Sequence, residues 1–156
     1  MDNNLIYNKK SLLDNINLII DENAPLISNL SNISRLIFET MDGTSWCGFY
    51  LVDEDTDTLY LGPYQGPIAC TRIPFGKGVC GQSFNKMTTM LVPIVHEYPG
   101  PIACSDLTNS EIVVPLVYNN KCLGVLDLDS TKFANFSKED AALLEDACKI
   151  IVKLFK

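Results

Sequence analysis

Glu111-Ile112-Val113-Val114-Pro115-Leu116-Val117-Tyr118-Asn119-Asn120-Lys121-Cys122-Leu123-Gly124-Val125-Leu126-Asp127-Leu128-Asp129-Ser130 is the stretch from which the architecture follows. Two runs rich in β-branched and apolar residues flank Asn119-Asn120, a pair that tolerates the positive φ of a hairpin turn. Residues 111–118 and 121–130 therefore read as antiparallel strands. Side chains alternate across a strand, so Asp127 and Asp129 share one face near the end of the second strand. Like charges that close disfavour double ionisation; one of the two can keep a proton near neutral pH and pass it to an oxygen atom, or the pair can simply cap a strand end in solvent. A regular two-residue turn pairs Tyr118 with Lys121 and sets Glu111 opposite Leu128, on the wrong face. Glu111 joins the aspartates only if it lies ahead of the regular ladder, or if Pro115, which has no N–H to donate, marks a bulge that switches parity. One of these irregularities is expected.

Working outward, Trp46–Val52 is aromatic and β-favouring, residues 53–57 form a polar turn, and Thr58–Leu61 resumes as the second strand of a hairpin. From Gly62 to Gly81 glycine and proline recur, which predicts a loop folded over the sheet and leading into a short helix near Cys80–Lys86. Loops of this length are often functional. The two ends are helical. Leu12, Leu13, Ile16, Ile19 and Ile20 recur at helical spacing within residues 5–22, and Ile27, Leu30, Ile33, Leu36 and Ile37 do so between Pro25 and Asp42-Gly43. Near the C-terminus Ser137 is an N-cap with Asp140 three residues on, ahead of a stripe of Leu143, Leu144, Ala147, Ile150, Ile151 and Leu154. Terminal helices around an antiparallel sheet define an α+β architecture.

The chain has 156 residues, 47% apolar and 20% charged, which fits one domain over residues 1–156 with a single core. No run of about 18 apolar residues occurs, and the N-terminus lacks the basic and apolar regions of a signal peptide, so a soluble cytoplasmic protein is expected. The net charge of −7, without a Lys/Arg cluster, repels phosphate and excludes nucleic acid and anionic membranes as partners.

Six cysteines in a reducing compartment point to catalytic, redox or metal chemistry more than to standing disulfides. Gly66-Pro67-Ile68-Ala69-Cys70 recurs unchanged as Gly100-Pro101-Ile102-Ala103-Cys104, so two thiols share one local setting in loop-like segments. Two loops can each bring a thiol to one site, one attacking and the other resolving through a disulfide; the plain alternative is a pair of small buried hydrophobes. Cys80, at the N-terminus of the short helix, has orphan N–H groups nearby that would stabilise a thiolate, and on that argument alone it qualifies as the nucleophile. Cys47, Cys122 and Cys148 fall within strands or the last helix and read as packing. A metal site from Cys70, Cys80, Cys104 and His96 has acceptable ligand types but no close Cys-x-x-Cys pair, so no metal is expected.

The stretch from Trp46 to Ser130 resembles the free methionine-(R)-sulfoxide reductase family of GAF domains. The likeness rests on Trp46-Cys47-Gly48-Phe49-Tyr50, Gly66–Cys70, Gly78-Val79-Cys80-Gly81, Ile102-Ala103-Cys104, Asn109-Ser110-Glu111-Ile112-Val113 and Gly124–Ser130. It implies a GAF-like sheet of about six antiparallel strands, with the N- and C-terminal helices on one face and a ligand pocket on the other. It also implies reduction of free methionine sulfoxide without a cofactor. In that family the cysteine matching Cys104 attacks sulfur, the one matching Cys70 resolves, and the one matching Cys80 has a secondary or alternative resolving role. An aromatic pair and three carboxylates of the family's pocket correspond to Trp46, Tyr50, Glu111, Asp127 and Asp129.

The chemistry implied is coherent with these residue types. Protonation or hydrogen bonding of the sulfoxide oxygen makes sulfur electrophilic, a thiolate attacks, and a sulfenic acid forms and condenses to a disulfide. Thioredoxin or a similar dithiol would reopen that disulfide. GAF domains often pair, so a homodimer is expected. The rival readings are a non-catalytic GAF module that binds a small ligand or senses oxidants, and a structural zinc-binding domain.

Overall fold

The computed structural model describes residues 5–100 and 105–156. Among them are helices α1 (Leu12–Ile19), α2 (Leu26–Thr40), α3 (Gly78–Lys86) and α4 (Lys138–Ile151). The strands are β1 (Thr44–Asp53), β2 (Thr58–Gln65), β3 (Arg72–Pro74), β4 (Met90–Val92), β5 (Ser110–Tyr118) and β6 (Lys121–Ser130). All neighbouring strands are antiparallel, in the order β3-β2-β1-β6-β5-β4.

The hairpin turn is as expected: Asn119 and Asn120 carry φ of 51° and 61° and lead Tyr118 back against Lys121. The expected irregularity lies beside Pro115. Val117 pairs with Cys122 but Pro115 with Val125, so Leu116 faces two residues of β6, Leu123 and Gly124. Parity switches there, and Glu111 pairs with Asp129 and Val113 with Asp127. Gly124 makes the bulge possible: its φ is 150°, and a Cβ there would stand 2.4 Å from the Tyr50 carbonyl oxygen. Only glycine accepts both the conformation and the close approach.

Strand alternation then sorts the sheet into two faces. One carries Cys47, Phe49, Ile112, Val114, Leu116, Leu126 and Leu128, covered by α1, α2 and α4 in the larger core. Each large aliphatic buried there contributes roughly 1.5–3 kcal/mol relative to exposure. Ser137 caps α4 as expected, its Oγ accepting from the Asp140 N–H (3.1 Å) while the Asp140 carboxylate accepts from the Ser137 N–H (2.9 Å). Lys9 pairs with the same carboxylate at 2.7 Å and ties the N-terminal segment to α4.

The opposite face carries Trp46, Tyr50, Val113 and Val125 and packs against α3 in a second, smaller core. The stretch expected to be one loop between Gly62 and Gly81 is more ordered than its composition suggests. β2 continues to Gln65, β3 pairs with it over Arg72–Pro74, and α3 already begins at Gly78. The first helical segment is shorter than expected, with one α-helical piece over Leu12–Ile19 instead of a helix filling residues 5–22.

Candidate active site

A cavity of about 440 Å³ opens on this second face, between the sheet, α3 and the loop that follows β2. Its size lies toward the lower end of small-molecule sites and suits a ligand of amino-acid dimensions better than a peptide or a dinucleotide. Register explains which strand residues reach it. Trp46 pairs with Asp129 and Gly48 with Asp127 on one side of β6, while Glu111 pairs with Asp129 on the other, so all of them point the same way. Sequence reasoning gathered Trp46, Tyr50, Glu111, Asp127, Asp129, Cys70 and Cys80 as candidates, and every one of them lines this cavity. Cys104, with Pro101, Ile102 and Ala103, lies outside the described residues.

The carboxylates are not in solvent. Glu111 and Asp127 are buried, at 8% and 5% exposure, and Oδ1 of both aspartates is shut away from solvent without a hydrogen-bond partner among the described residues. Burial is the main cause that raises all three acids, and mutual repulsion adds to it. Asp127 is pushed up to about 8, by burial and then by the charge of Asp129, while hydrogen bonds from Glu111 and Cys80 pull it partly back. Glu111 rises through burial and the charge of Asp127, and Asp129 through burial and the charge of Glu111. Thr108 Oγ1 lies 3.5 Å from Asp129 Oδ2, at the outer limit of a hydrogen bond, and eases that rise. Such a cluster holds protons at neutral pH and can deliver one to a ligand oxygen.

The aromatics have two jobs in the geometry. Their faces wall the cavity: the Trp46 ring stacks on Tyr64 (5.2 Å between centroids) and on Tyr50 (5.9 Å). Their polar tips hold the loop that carries Cys70. Trp46 Nε1–H donates to the Pro67 carbonyl at 3.1 Å, and the Tyr50 hydroxyl donates to the Cys70 carbonyl at 2.9 Å. Gly48 leaves the room for this stack, since a Cβ there would meet Tyr64 Cβ at 2.3 Å and the Trp46 ring at 2.7 Å.

Cys70 is half-buried at the cavity and is disulfide-bonded, whereas Cys47, Cys80, Cys122 and Cys148 are free and buried. The helix-terminus argument for Cys80 meets an opposing effect. The thiol does sit in the first turn of α3, but burial first, and then the charges of Asp127, Glu111 and Asp129, push it well above the ordinary thiol range. A partial charge at a helix end does not offset desolvation beside three acids. The alternative of four zinc ligands also fails on geometry: His96 is exposed, with Nε2 3.0 Å from Asn109 Oδ1, and does not line the cavity. Sequence reasoning missed Thr108, Tyr64 and Gly48. Thr108 directly precedes the Asn109-Ser110-Glu111 motif, but only the bend of the chain reveals that it faces Asp129.

Residues 25–153 match the family model of the GAF domain. The free methionine-R-sulfoxide reductase of Escherichia coli is 45% identical over 124 residues, covering 80% of this chain and 74% of that protein. The reductase of the same name from Saccharomyces cerevisiae is 41% identical over 156 residues, covering 94% and 87%. Among solved structures, free methionine-R-sulfoxide reductase from Neisseria meningitidis in complex with its substrate superposes with a TM-score of 0.90 at 46% identity, covering 94% of this chain and 87% of that one. With this fold, this agreement along almost its whole length and the acid-lined cavity, the chain belongs to the GAF domain family and, within it, to the free methionine-R-sulfoxide reductases.

Proposed function

We propose that the protein reduces free methionine-(R)-sulfoxide to methionine in this cavity, by thiol chemistry. The observation that carries the reading is the acid trio of buried Glu111 and Asp127 with half-buried Asp129, held in protonatable form beside the loop of Cys70. The substrate complex of the Neisseria meningitidis relative supports the choice of ligand. A proton or hydrogen bond from the trio polarises the sulfoxide oxygen, and the Cys104 thiolate attacks the sulfur. The oxygen passes to Cys104 as a sulfenic acid, and methionine leaves with its sulfur reduced. The Cys70 thiol then condenses with the sulfenic acid, releasing water and forming a disulfide. Cys80 is a secondary resolving thiol.

Thioredoxin or a similar dithiol reduces the disulfide and is itself oxidised, so the cycle closes without a cofactor. The carboxylates also receive the substrate's ammonium group, and Trp46 and Tyr50 enclose its methyl end. The protein acts as one domain over residues 1–156, in the cytoplasm, and as a homodimer. Sedimentation would measure the pairing. No described helix is long and apolar enough to cross a membrane.

The test is to supply racemic free methionine sulfoxide with thioredoxin and its reductase, and to follow both epimers by chiral separation. The R epimer should disappear and the S epimer remain. Cys104→Ser should abolish turnover, and Asp127→Asn should lower kcat by about 10²–10⁴-fold, the usual contribution of a positioned acid. Ligand binding without turnover by the wild type would assign the protein to the non-catalytic modules instead.

A further inference from the structure

Three ligand atoms converge at the floor of the cavity. Cys80 Sγ and one carboxylate oxygen each of Glu111 and Asp127 lie within 4.8 Å of one another, on α3, β5 and β6 respectively. Packed elements fix all three, and all three residues are buried. None of the three acids forms an ion pair with a described basic residue. Asp127, only 5% exposed, has an Oδ1 that no group among the described residues satisfies, and Asp129 Oδ1 beside it likewise has no described partner. Buried carboxylate oxygens without partners are uncommon in folded proteins, and a cation is one group that completes them.

The donor set selects the kind of cation. One sulfur and two carboxylates suit a borderline divalent ion such as Zn²⁺ or Co²⁺, whereas Mg²⁺ and Ca²⁺ take oxygen ligands alone. Zinc bonds of about 2.0–2.3 Å place tetrahedral ligand atoms roughly 3.3–3.7 Å apart. The trio therefore has to close by on the order of 1 Å, which carboxylate rotation supplies. A fourth position faces the cavity, where the acids would otherwise meet a ligand oxygen.

We propose that Cys80, Glu111 and Asp127 bind one zinc-class divalent cation, and that this cation competes with the sulfoxide for the carboxylates. The binding half stands on the geometry alone, whereas the competition half rests on the reductase reading above. A metal here is an inhibitor and not a cofactor, because it occupies the groups that the sulfoxide oxygen requires.

The test uses the full-length protein, freed of metal by chelation and with Cys70 kept in its disulfide, titrated anaerobically with Co²⁺. The expected result is a sulfur-to-cobalt charge-transfer band in the near ultraviolet, saturating at one equivalent, with the visible bands of a four-coordinate site. Zn²⁺ should displace the cobalt. Cys80→Ser should remove the charge-transfer band, and Asp127→Asn should weaken binding at least tenfold. A wild type that gives no saturable band at one equivalent overturns the site, whatever the variants do, and so does a band that persists in Cys80→Ser. In steady-state assays KM for the sulfoxide should double when free Zn²⁺ equals the dissociation constant from the titration, with kcat unchanged. A fall in kcat at constant KM overturns the competition. A cobalt band without any turnover sinks the reductase reading and leaves the metal site standing, and turnover without a band does the reverse.

Discussion

Trp46 and Tyr50 each have one polar hydrogen, and both direct it to the same loop, at the Pro67 and Cys70 carbonyls. The family resemblance implied contact with ligand; the geometry adds that they hold the loop of Cys70. Tyr50→Phe keeps the ring and loses one hydrogen bond worth about 1 kcal/mol. It should slow disulfide formation by Cys70 about five- to tenfold while leaving KM for the sulfoxide unchanged. Rapid-quench measurement of disulfide formation checks this, and an unchanged rate would remove the positioning role. Asp127 carries a pH signature as well. Its folded pKa of about 8 lies above the ordinary value of 3.8, so between those limits the folded state holds a proton that the unfolded chain has released. Stability therefore falls as pH rises through this window and levels off above it. Each unit of difference corresponds to about 1.4 kcal/mol, so Asp127→Asn should lessen the decline by on the order of a few kcal/mol. Urea midpoints from pH 4 to 9 measure it, and matching slopes for wild type and variant would refute the raised pKa.

At the scale of elements, the bulge between β5 and β6 decides whether there is a site at all. Without the extra residue at Leu123-Gly124, Glu111 would face α1, α2 and α4 in the apolar core. Gly124→Ala places a Cβ 2.4 Å from the Tyr50 carbonyl at a φ that suits glycine. We expect it to cost about 2–4 kcal/mol or more, through strain and overpacking, and to lower kcat even where the protein still folds. Thermal unfolding and turnover on the same preparation would show both effects; a neutral result would mean that the register does not depend on this glycine. Long amphipathic elements were legible: α2, α4, β5 and β6 carry enough apolar repeats, and α4 a full capping box, for period and boundaries to agree with the fold. β3 and β4 were not. Each is three residues long, too short for a period, and exists because β2 and β5 present unpaired backbone edges.

The molecule as a whole is a sheet with two unlike faces, one a core closed by three helices and the other a cavity roofed by α3 and the loop of Cys70. Trp46 is the only tryptophan, is buried at 6% exposure, and stands in that cavity, so its emission reports the site without a label. Adding methionine sulfoxide should shift or quench the fluorescence saturably, while methionine-containing peptides, too large for about 440 Å³, should leave it unchanged. An equal response to both would mean that the cavity does not select by size. What the chain's order of residues determined by itself was local: the strand and helix periods, the Asn119-Asn120 turn, the Ser137 cap, the shared face of Asp127 and Asp129, and the duplicated setting of Cys70 and Cys104. Period and capping depend on neighbours within a few positions, so they can be read directly. Only the tertiary structure decided which of two possible irregularities brings Glu111 to the aspartates, that Glu111 and Asp127 are buried with Asp129 half-buried beside them, and that Cys80 is buried next to these acids. Desolvation and charge repulsion depend on what surrounds a group in space, and those surroundings come from elements far apart in the chain.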